Sequence, residues 1–290
     1  MSASSEWSRV EVAVVQYPLV GGLTTAHLLD KVQGYVNTAS SAGARLIVLP
    51  ELFALDLLDF SKPEVPQFPR VIRELYPEVI IALEKLATEK GIYLLAGSVP
   101  VELTETRKIR NRSFLFAPDK PPVYQDKLFL TPDEVEWGWE AGDTLNIIQA
   151  PWGTTAITIC YDSEFPLVSQ TLASHVVDVL LIPSMTGESG FTRVRWAAQA
   201  RAVEHMTYIL LTGITGDPAP SWEMMAQGVV LGPSLPGFTP TIAEGEKDVA
   251  DYIVHATLDM TQLREAKAAR DYYPALNQRN VSIAQEMSTI

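Results

Sequence analysis

A series of short, almost uninterrupted apolar runs is spread through the chain and limits the folds that it can adopt. The clearest of them occupy residues 9–16, 46–49, 92–99, 177–182 and 207–213. They are rich in aliphatic and β-branched residues, and they lack the strict alternation of apolar and polar residues that marks a half-exposed strand. Such runs are typical of strands that are buried on both faces.

Segments with the apolar spacing of an α-helix separate these runs. Residues 24–41 and 71–90 show this spacing most clearly. Shorter patterns predict further helices at residues 167–175 and 193–205 and from Met260, and further strands at residues 111–116, 123–130, 228–231 and 252–258. Strand and helix alternate from end to end, which favours a single α/β domain over residues 1–290. We expect the polar tail from about residue 272 either to extend along a neighbouring subunit or to be mobile.

Composition excludes several classes of protein. The 290 residues are 47% hydrophobic and 20% charged, which is ordinary for a globular protein, and no apolar run is long enough to cross a bilayer. The net charge of −13 argues against binding to nucleic acid or to anionic membranes. One cysteine excludes an intramolecular disulfide framework, and four scattered histidines form no obvious metal cluster. With no signal-peptide pattern at the start, we expect a cytoplasmic protein.

That cysteine, Cys160, closes a β-branched apolar run at residues 154–159. Acidic residues and Pro166 follow it, and a helical pattern begins at Leu167. A cysteine between a buried strand and a helix lies where nucleophiles are often presented, near backbone N–H groups that stabilise a thiolate or an oxyanion. Considered alone, a single cysteine beside apolar residues is more often part of an inert core.

Two other apolar runs reach a polar residue in the same way. Glu51 follows residues 46–50, and Lys127 lies within residues 123–130. Ligands of open α/β sheets usually bind outside the carboxyl ends of the strands. A carboxylate, an ammonium and a thiol that meet there form a nucleophilic apparatus, because the carboxylate takes the thiol proton and the ammonium stabilises an oxyanion. Taken singly, Glu51 is more often a helix-start carboxylate and Lys127 a surface lysine.

Three segments carry a resemblance to a known family. They are LPELF at residues 49–53, QDKLFLTP at residues 125–132 and ICYDSEFP at residues 159–166. In this order they resemble the nitrilase, or carbon–nitrogen hydrolase, superfamily, whose signature is a Glu–Lys–Cys triad. The resemblance covers roughly residues 9–260. Three ordered motifs with compatible spacing are a specific signal, whereas any one of them alone is weak.

The resemblance implies roles for these residues. Cys160 would be the nucleophile, and Glu51 the general base and later the general acid. Lys127 and the backbone N–H of Tyr161 would stabilise the tetrahedral intermediate. The implied reaction is hydrolysis of a non-peptide C–N bond through a thioester, with release of ammonia or an amine and with no metal or organic cofactor.

A second glutamate shortly after the lysine positions the substrate or a proton in many members of this superfamily. Glu134 and Glu136 compete for that role here. The stretch TPDE at residues 131–134 resembles the Thr-Pro-x-Glu of some members, which favours Glu134. For whichever glutamate is not chosen, a solvated acidic loop is the alternative. His205 departs from the asparagine that commonly follows Arg-Ala-x-Glu in the superfamily, and we expect it to affect only packing at a helix end.

The residues after the nucleophile bear on the substrate. Cys-Tyr-Asp resembles the amidase and carbamoylase members, whereas true nitrilases more commonly carry Cys-Trp-Glu. Carbamoyl-amino-acid hydrolases tend to place arginines just after the cysteine to hold a substrate carboxylate, and this chain has Ser163 and Glu164 there instead. Arg193 and Arg195 remain candidates for that task, although surface arginines at the start of a helix are the commoner interpretation. Three tryptophans near the site segments are candidates for lining a pocket, although core or subunit-interface residues are the commoner interpretation (Trp137, Trp139 and Trp196).

The resemblance also implies a four-layer α-β-β-α sandwich and a homodimer or larger assembly formed by helix packing. The leading functional hypothesis is a thiol amidohydrolase acting on a small amide or carbamoyl compound. Its alternatives are a nitrilase that uses the same residues, and a non-catalytic binding or assembly protein that retains the fold. Acyl transfer to an acceptor other than water is a further option, but it usually accompanies membrane spans.

Overall fold

The computed structural model of the chain describes residues 5–219, 222–247, 249–270 and 272–278. Its strands form two sheets. The first sheet contains β1 (Arg9–Pro18), β2 (Leu46–Val48), β3 (Tyr93–Leu95), β4 (Val99–Glu102), β5 (Ile109–Ala117), β6 (Lys120–Asp126), β11 (Gly213–Thr215) and β14 (Tyr252–Asp259). The second contains β7 (Ile147–Ala150), β8 (Gly153–Ile157), β9 (Val179–Ile182), β10 (Tyr208–Leu211), β12 (Val229–Leu231) and β13 (Thr241–Glu244).

Both sheets are mixed. In the first, the order is β11-β1-β2-β3-β5-β4, with β14 also paired to β1 and β6 to β5. In the second, the order is β13-β12-β10-β9-β8-β7. The central strands β1, β2 and β3 run parallel, as do β8, β9 and β10. At the edges, β11 is parallel to β1, whereas the pairs β4–β5, β12–β13 and β7–β8 are antiparallel. The buried runs recognised in the sequence are these parallel central strands.

The helices connect and cover the strands. They are α1 (Thr25–Ser41), α2 (Phe68–Arg70), α3 (Tyr76–Lys90), α4 (Pro132–Glu136), α5 (Pro166–Ala173), α6 (Glu188–His205), α7 (Met260–Ala269) and α8 (Pro274–Asn277). A π-helical turn, Val71–Leu75, joins α2 to α3. Short 3-10 helices occupy Phe53–Leu57, which follows Glu51 and Leu52, and Cys160–Glu164.

Alternate side chains of β1 show how the layers are stacked. Val12 belongs to one apolar cluster with Leu180 of β9, between the two sheets. Val15 points to the other face, where it joins Val32 of α1 and Leu83 of α3. On the far side, α6 packs against β10 of the second sheet. The order helix, sheet, sheet, helix confirms the expected four-layer sandwich. Each fully buried valine or leucine contributes about 1.5–3 kcal/mol to this core.

The structure corrects several predicted boundaries. The strand predicted at residues 92–99 is two strands, β3 and β4, because the chain bends at Gly97. Gly97 has a φ of 53°, and a Cβ there would lie 1.8 Å from the carbonyl oxygen of Pro50. Helix α6 begins at Glu188 rather than at residue 193. Strands β7 and β13 were not predicted.

The described part of the C-terminal tail packs on the chain itself. Tyr273 and Ala275 are buried in the same cluster as the sheet-to-sheet core, and α8 contacts α5 and α6. Residues 279–290, where most of the tail expected to be extended or mobile falls, lie outside the described residues. Over the described ranges, no helix has both the length and the apolar character needed to cross a membrane.

Candidate active site

The candidate site forms where strands of the two sheets end. Glu51 follows β2 and Lys127 follows β6 in the first sheet, whereas Cys160 opens the 3-10 helix that follows β8 in the second. Glu134 lies on α4, a few residues beyond Lys127. All four side chains are buried, with exposed fractions of 1% for Glu51, 2% for Lys127, 3% for Cys160 and 2% for Glu134. The structure therefore brings together the four side chains singled out in the sequence.

The Lys127 ammonium lies between two carboxylates. Its Nζ is 2.7 Å from Oε1 of Glu51 and 2.8 Å from Oε2 of Glu134. Asn111 on β5 bridges the same two groups, because its Nδ2 donates to Glu51 Oε1 at 2.9 Å and to Glu134 Oε1 at 2.8 Å. The second oxygen of Glu51 accepts the backbone N–H of Met185 at 2.8 Å. The carboxylate of Glu51 thus bonds to distant residues, and not to the helix that follows it.

The turn that carries Glu51 is held against the neighbouring strand end. The backbone N–H of Leu52 donates to the carbonyl oxygen of Ser98 at 3.0 Å, and Gly97 allows the chain to approach Pro50 closely. Leu52 itself has a φ of 54°, a conformation that non-glycine residues adopt only when their surroundings impose it. This local geometry directs Glu51 inward.

Cys160 lies on a strained turn. Its φ is 49°, in the left-handed region, and its backbone N–H donates to Pro183 O at 2.9 Å. The hydroxyl of Ser184 donates to Sγ at 3.2 Å, and the thiol is 3.7 Å from Met185 O. Tyr161 is the second residue of the 3-10 helix, so its N–H belongs to the first turn, whose N–H groups have no partner within the helix.

Burial sets the protonation states of the site. Burial, together with the charge of Glu51, raises the pKa of the Cys160 thiol, against the opposing effects of Lys127 and of the hydrogen bonds from Ser184 and with Met185. Burial also raises the pKa of Glu51, opposed by Lys127 and by a hydrogen bond with Cys160. Burial alone would lower the pKa of Lys127, but Glu51 and Glu134 raise it above its ordinary value. The resting site therefore holds a neutral thiol beside a charged lysine.

Helix α4 distinguishes the two candidate glutamates. Thr131 caps the helix and forms a capping box with Glu134, whose Oε2 accepts the Thr131 backbone N–H at 2.9 Å. The same oxygen faces Lys127, so Glu134 lies in the site. Glu136, which follows Glu134 and Val135 on the same helix, is exposed. The Thr-Pro-x-Glu pattern that favoured Glu134 is this helix start.

Sequence reasoning missed four residues that contact the site. Asn111 had a detectable signal, because it is a polar residue within a predicted strand. Ser184 had a similar signal, because it follows the apolar run that ends at β9. The backbone groups of Met185 carried none. Asp162 was quoted only as part of the motif, yet its side chain is fully buried and accepts the N–H groups of Leu128, Phe129 and Ile159.

Both candidate arginines have acidic partners. Arg193 Nε lies 3.0 Å from Oε2 of Glu164, and Arg195 Nη2 lies 2.9 Å from Oε2 of Glu244. Neither opens the helix, since α6 begins at Glu188. They are thus engaged in pairs with the protein's own carboxylates.

Aromatic side chains pack on the loops beside the site. Trp137 lies close to parallel with Trp222 at a centroid distance of 6.1 Å and contacts Trp139 at 5.0 Å. Phe68 contacts both Trp137 and Trp139. Trp139 is buried, in agreement with its interpretation as a core residue, whereas Trp196 on α6 is 67% exposed. In the described ranges, histidine, cysteine, aspartate and glutamate form no group of three or more that could hold a metal ion.

Comparison with known proteins places the chain in a family. The family model described as carbon–nitrogen hydrolase matches residues 11–264. The probable hydrolase YhcX of Bacillus subtilis is 32% identical over 266 residues, which are 89% of this chain and 51% of that protein. The chain thus spans about half the length of that relative. The omega-amidase NIT2 of Danio rerio is 26% identical over 283 residues, 94% of this chain and 95% of that protein.

Solved structures share the fold. Nit3 of Saccharomyces cerevisiae, described as a member of branch 10 of the nitrilase superfamily, superposes with a TM-score of 0.75 at 23% identity, over 90% of this chain and 94% of that one. An amidase from Nesterenkonia sp. gives a TM-score of 0.73 at 20% identity, over 90% and 94% of the two chains. With the family match over most of its length, the chain belongs to the carbon–nitrogen hydrolase family.

Proposed function

We propose that this protein is a cysteine-dependent amidohydrolase that cleaves the non-peptide C–N bond of a small amide or carbamoyl compound. The observation that carries the proposal is the buried Lys127 ammonium, held 2.7 Å from Glu51 and 2.8 Å from Glu134 beside the only cysteine of the chain. A base, a nucleophile and a cation in one water-poor site are the parts that acyl transfer needs.

The first half-reaction forms a thioester. Glu51 takes the thiol proton as Sγ of Cys160 attacks the carbonyl carbon, and the carbonyl π electrons move onto oxygen. Lys127 and the N–H of Tyr161 stabilise that oxyanion, a contribution worth about 10²–10³ in rate for each donor. The tetrahedral intermediate then collapses, the C–N bond breaks, and the protonated Glu51 gives its proton to the leaving nitrogen. Ammonia or an amine departs, and the acyl group stays on Cys160.

The second half-reaction releases the acid. Glu51, again a carboxylate, takes a proton from water as the water oxygen attacks the thioester carbon. A second oxyanion forms at the same position and collapses with departure of the Cys160 thiolate, which recovers its proton from Glu51. One amide and one water thereby yield one carboxylic acid and one ammonia or amine, with no cofactor in the cycle.

The raised pKa values of Cys160 and Glu51 suit this order of proton transfers. Because burial raises the pKa of Cys160, the resting thiol is neutral and needs a base at the moment of attack. Because burial also raises the pKa of Glu51, that carboxylate is a stronger base than an exposed glutamate and returns the proton readily. We assign Glu134 a positioning role, since it orients Lys127 and, through Asn111, Glu51.

The ion pairs near the site favour an uncharged substrate. Glu164 and Glu244 already pair with Arg193 and Arg195, so a substrate carboxylate would compete with these two carboxylates. An amidase of the same fold has been solved with butyramide, a neutral amide. We therefore propose a neutral aliphatic amide such as butyramide as a better substrate than an amide that carries a carboxylate.

Ammonia release from matched compounds tests the proposal. We expect release from butyramide to exceed release from butyronitrile and from succinamate, and Cys160→Ala to lower it by about 10³-fold or more. Faster release from the nitrile would identify a nitrilase. No release from an amide, carbamoyl or nitrile panel, with Cys160 also unreactive to iodoacetamide, would identify a non-catalytic binding or assembly protein.

A further inference from the structure

Asp162 is a buried carboxylate that bonds to two separate parts of the chain. Its Oδ1 accepts the backbone N–H groups of Leu128 at 3.0 Å and Phe129 at 2.8 Å. Its Oδ2 accepts the backbone N–H of Ile159 at 3.1 Å. The side chain has an exposed fraction of 0%, so these bonds are shielded from water. The charge is satisfied by backbone donors of both segments.

The bonded residues are the immediate neighbours of two proposed catalytic groups. Leu128 follows Lys127, and Ile159 precedes Cys160. Lys127 comes from the end of β6 in the first sheet and Cys160 from the end of β8 in the second, so no strand ladder joins the segments that carry them. Asp162 supplies the hydrogen bonds that a ladder cannot supply there.

A stacked ring pair reinforces the same connection. Phe129 and Phe165 lie face to face, with centroids 3.7 Å apart and planes inclined by 8°. Phe129 belongs to the segment after Lys127, and Phe165 follows the 3-10 helix that Cys160 opens. The hydrogen bonds of Asp162 and the Phe129–Phe165 stack thus join the same two segments.

Burying such a carboxylate has a large desolvation cost. Burial raises the pKa of Asp162 to about 7, against the opposing influence of Lys127 and of the three backbone N–H donors. Buried charges are often no more stabilising than apolar residues of the same volume, so their presence needs a reason other than stability. The place of this one, between the two halves of the site, gives that reason.

We propose that Asp162 is a positioning residue that fixes the Lys127 ammonium relative to the Cys160 thiol across the two sheets. This inference rests on the proposed function, since it assigns Lys127 to the oxyanion and Cys160 to the attack. A shift of about 1 Å between groups of this kind costs about 10²-fold in rate. The contribution of Asp162 therefore lies in kcat and not in substrate affinity.

Asp162→Asn tests the proposal with almost no change in volume. The amide oxygen still accepts from Leu128 and Phe129, but the NH₂ group then faces the N–H of Ile159, and two donors cannot bond. With butyramide, we expect kcat to fall by about 10–100-fold at nearly unchanged KM. Alkylation of Cys160 by iodoacetamide forms no oxyanion, so its rate should change at least about tenfold less than kcat.

Comparing the rate of hydrolysis with the rate of alkylation distinguishes a loss of positioning from a general loosening of the site. Equal changes in hydrolysis and alkylation, unchanged hydrolysis, or a rise in alkylation as the buried thiol becomes exposed would each overturn the proposal. If Asp162→Asn does not fold, Phe129→Leu decides by the same ratio of rates, because it weakens the ring stack that joins the same segments. Wild-type protein that hydrolyses no amide would overturn the proposed function and this inference with it, whereas an active wild type without selective loss in the variant overturns this inference alone.

Asp56→Asn is the matched control. Asp56 is equally buried and also accepts backbone N–H groups, from Val20 at 2.7 Å and Gly21 at 2.8 Å, but its partners lie outside the candidate site. This variant should lower the melting temperature while the ratio of hydrolysis to alkylation stays at the wild-type value. A selective loss of kcat in Asp56→Asn would show that any buried aspartate has the same effect, and would overturn the assignment to Asp162.

Discussion

At the scale of single residues, Lys127 is the group on which the candidate site depends. Among the four buried side chains it is the cation, and it faces two carboxylates. Removing one partner of a buried ion pair costs about 3–5 kcal/mol, because the other charge is left without compensation. Asn111 adds a donor to each carboxylate, which lowers the cost of holding two negative groups around one positive group. Charge balance therefore requires these residues to act as one unit.

The residues of the site differ in how far the sequence predicted them. Glu51, Lys127 and Cys160 each end an apolar run, so strand pattern and motif together indicate them. Asn111 and Asp162 act through contacts between segments that are distant in the chain, and such contacts are set by the packing of the two sheets. No spacing in the sequence encodes that packing, so the contacts that these two residues make appear only in the structure.

His205 makes a pH-dependent contribution to stability at the residue scale. It is buried on α6 with Nε2 2.9 Å from Ser169 Oγ, and burial lowers its pKa to about 4, with Glu204 opposing and with Arg201 and Lys267 acting in the same direction as burial. The folded protein therefore keeps His205 neutral between pH 6.5 and about 4, where the unfolded chain binds a proton. Stability should fall as the pH drops through that window.

Urea unfolding at several pH values measures this effect. The contribution of His205 to the free energy of unfolding should fall by up to about 1.4 kcal/mol per pH unit between pH 6.5 and 4. His205→Asn retains a side-chain donor for Ser169 and removes the titration, so its pH dependence in this window should be shallower by that amount. An equally steep dependence in His205→Asn would assign the acid sensitivity to other groups.

At the scale of elements, boundaries set by the residue pattern within one segment were predicted well, whereas boundaries set by contacts between segments were not. The spacing of apolar residues predicted α1 closely, since Thr24 is its N-cap and its buried face repeats at helical intervals. The strand predicted at residues 92–99 divides because Gly97 must admit the backbone of Pro50. Helix α6 begins earlier than predicted, since its first residues carry no apolar repeat. Strand β13 is only half-buried, so it lacked the continuous apolar run that marked the central strands.

At the scale of the whole molecule, the four layers place the site at the ends of both sheets. The sequence alone supports the α/β class, and the resemblance to the carbon–nitrogen hydrolases adds the two-sheet sandwich. That arrangement explains why a base and a cation from one sheet meet a nucleophile from the other. It also explains the need for links such as Asp162, because the two sheets are joined by packing and not by a ladder.

We propose that the protein forms a homodimer through the helices outside the second sheet. Leu167 of α5 and Trp196 and Val203 of α6 are large apolar residues with exposed fractions of 63%, 67% and 47%, and Tyr272 beside α8 is 77% exposed. Exposed apolar groups on adjoining elements are typical of protein interfaces. Light scattering after gel filtration should give twice the chain mass, and Leu167→Asp should shift it towards one chain. A wild-type monomer at micromolar concentration would contradict the proposal.

The proposed mechanism requires that the acyl group pass through Cys160, and intact-protein mass spectrometry detects such an intermediate. Protein quenched seconds after mixing with butyramide should carry one added butyryl group. Glu51→Gln, which lacks the base for hydrolysis, should retain any adduct it forms for longer, and Cys160→Ala should form none. Hydrolysis by wild-type protein that leaves no adduct at any time of quenching, or an adduct that persists in Cys160→Ala, would exclude a thioester on Cys160.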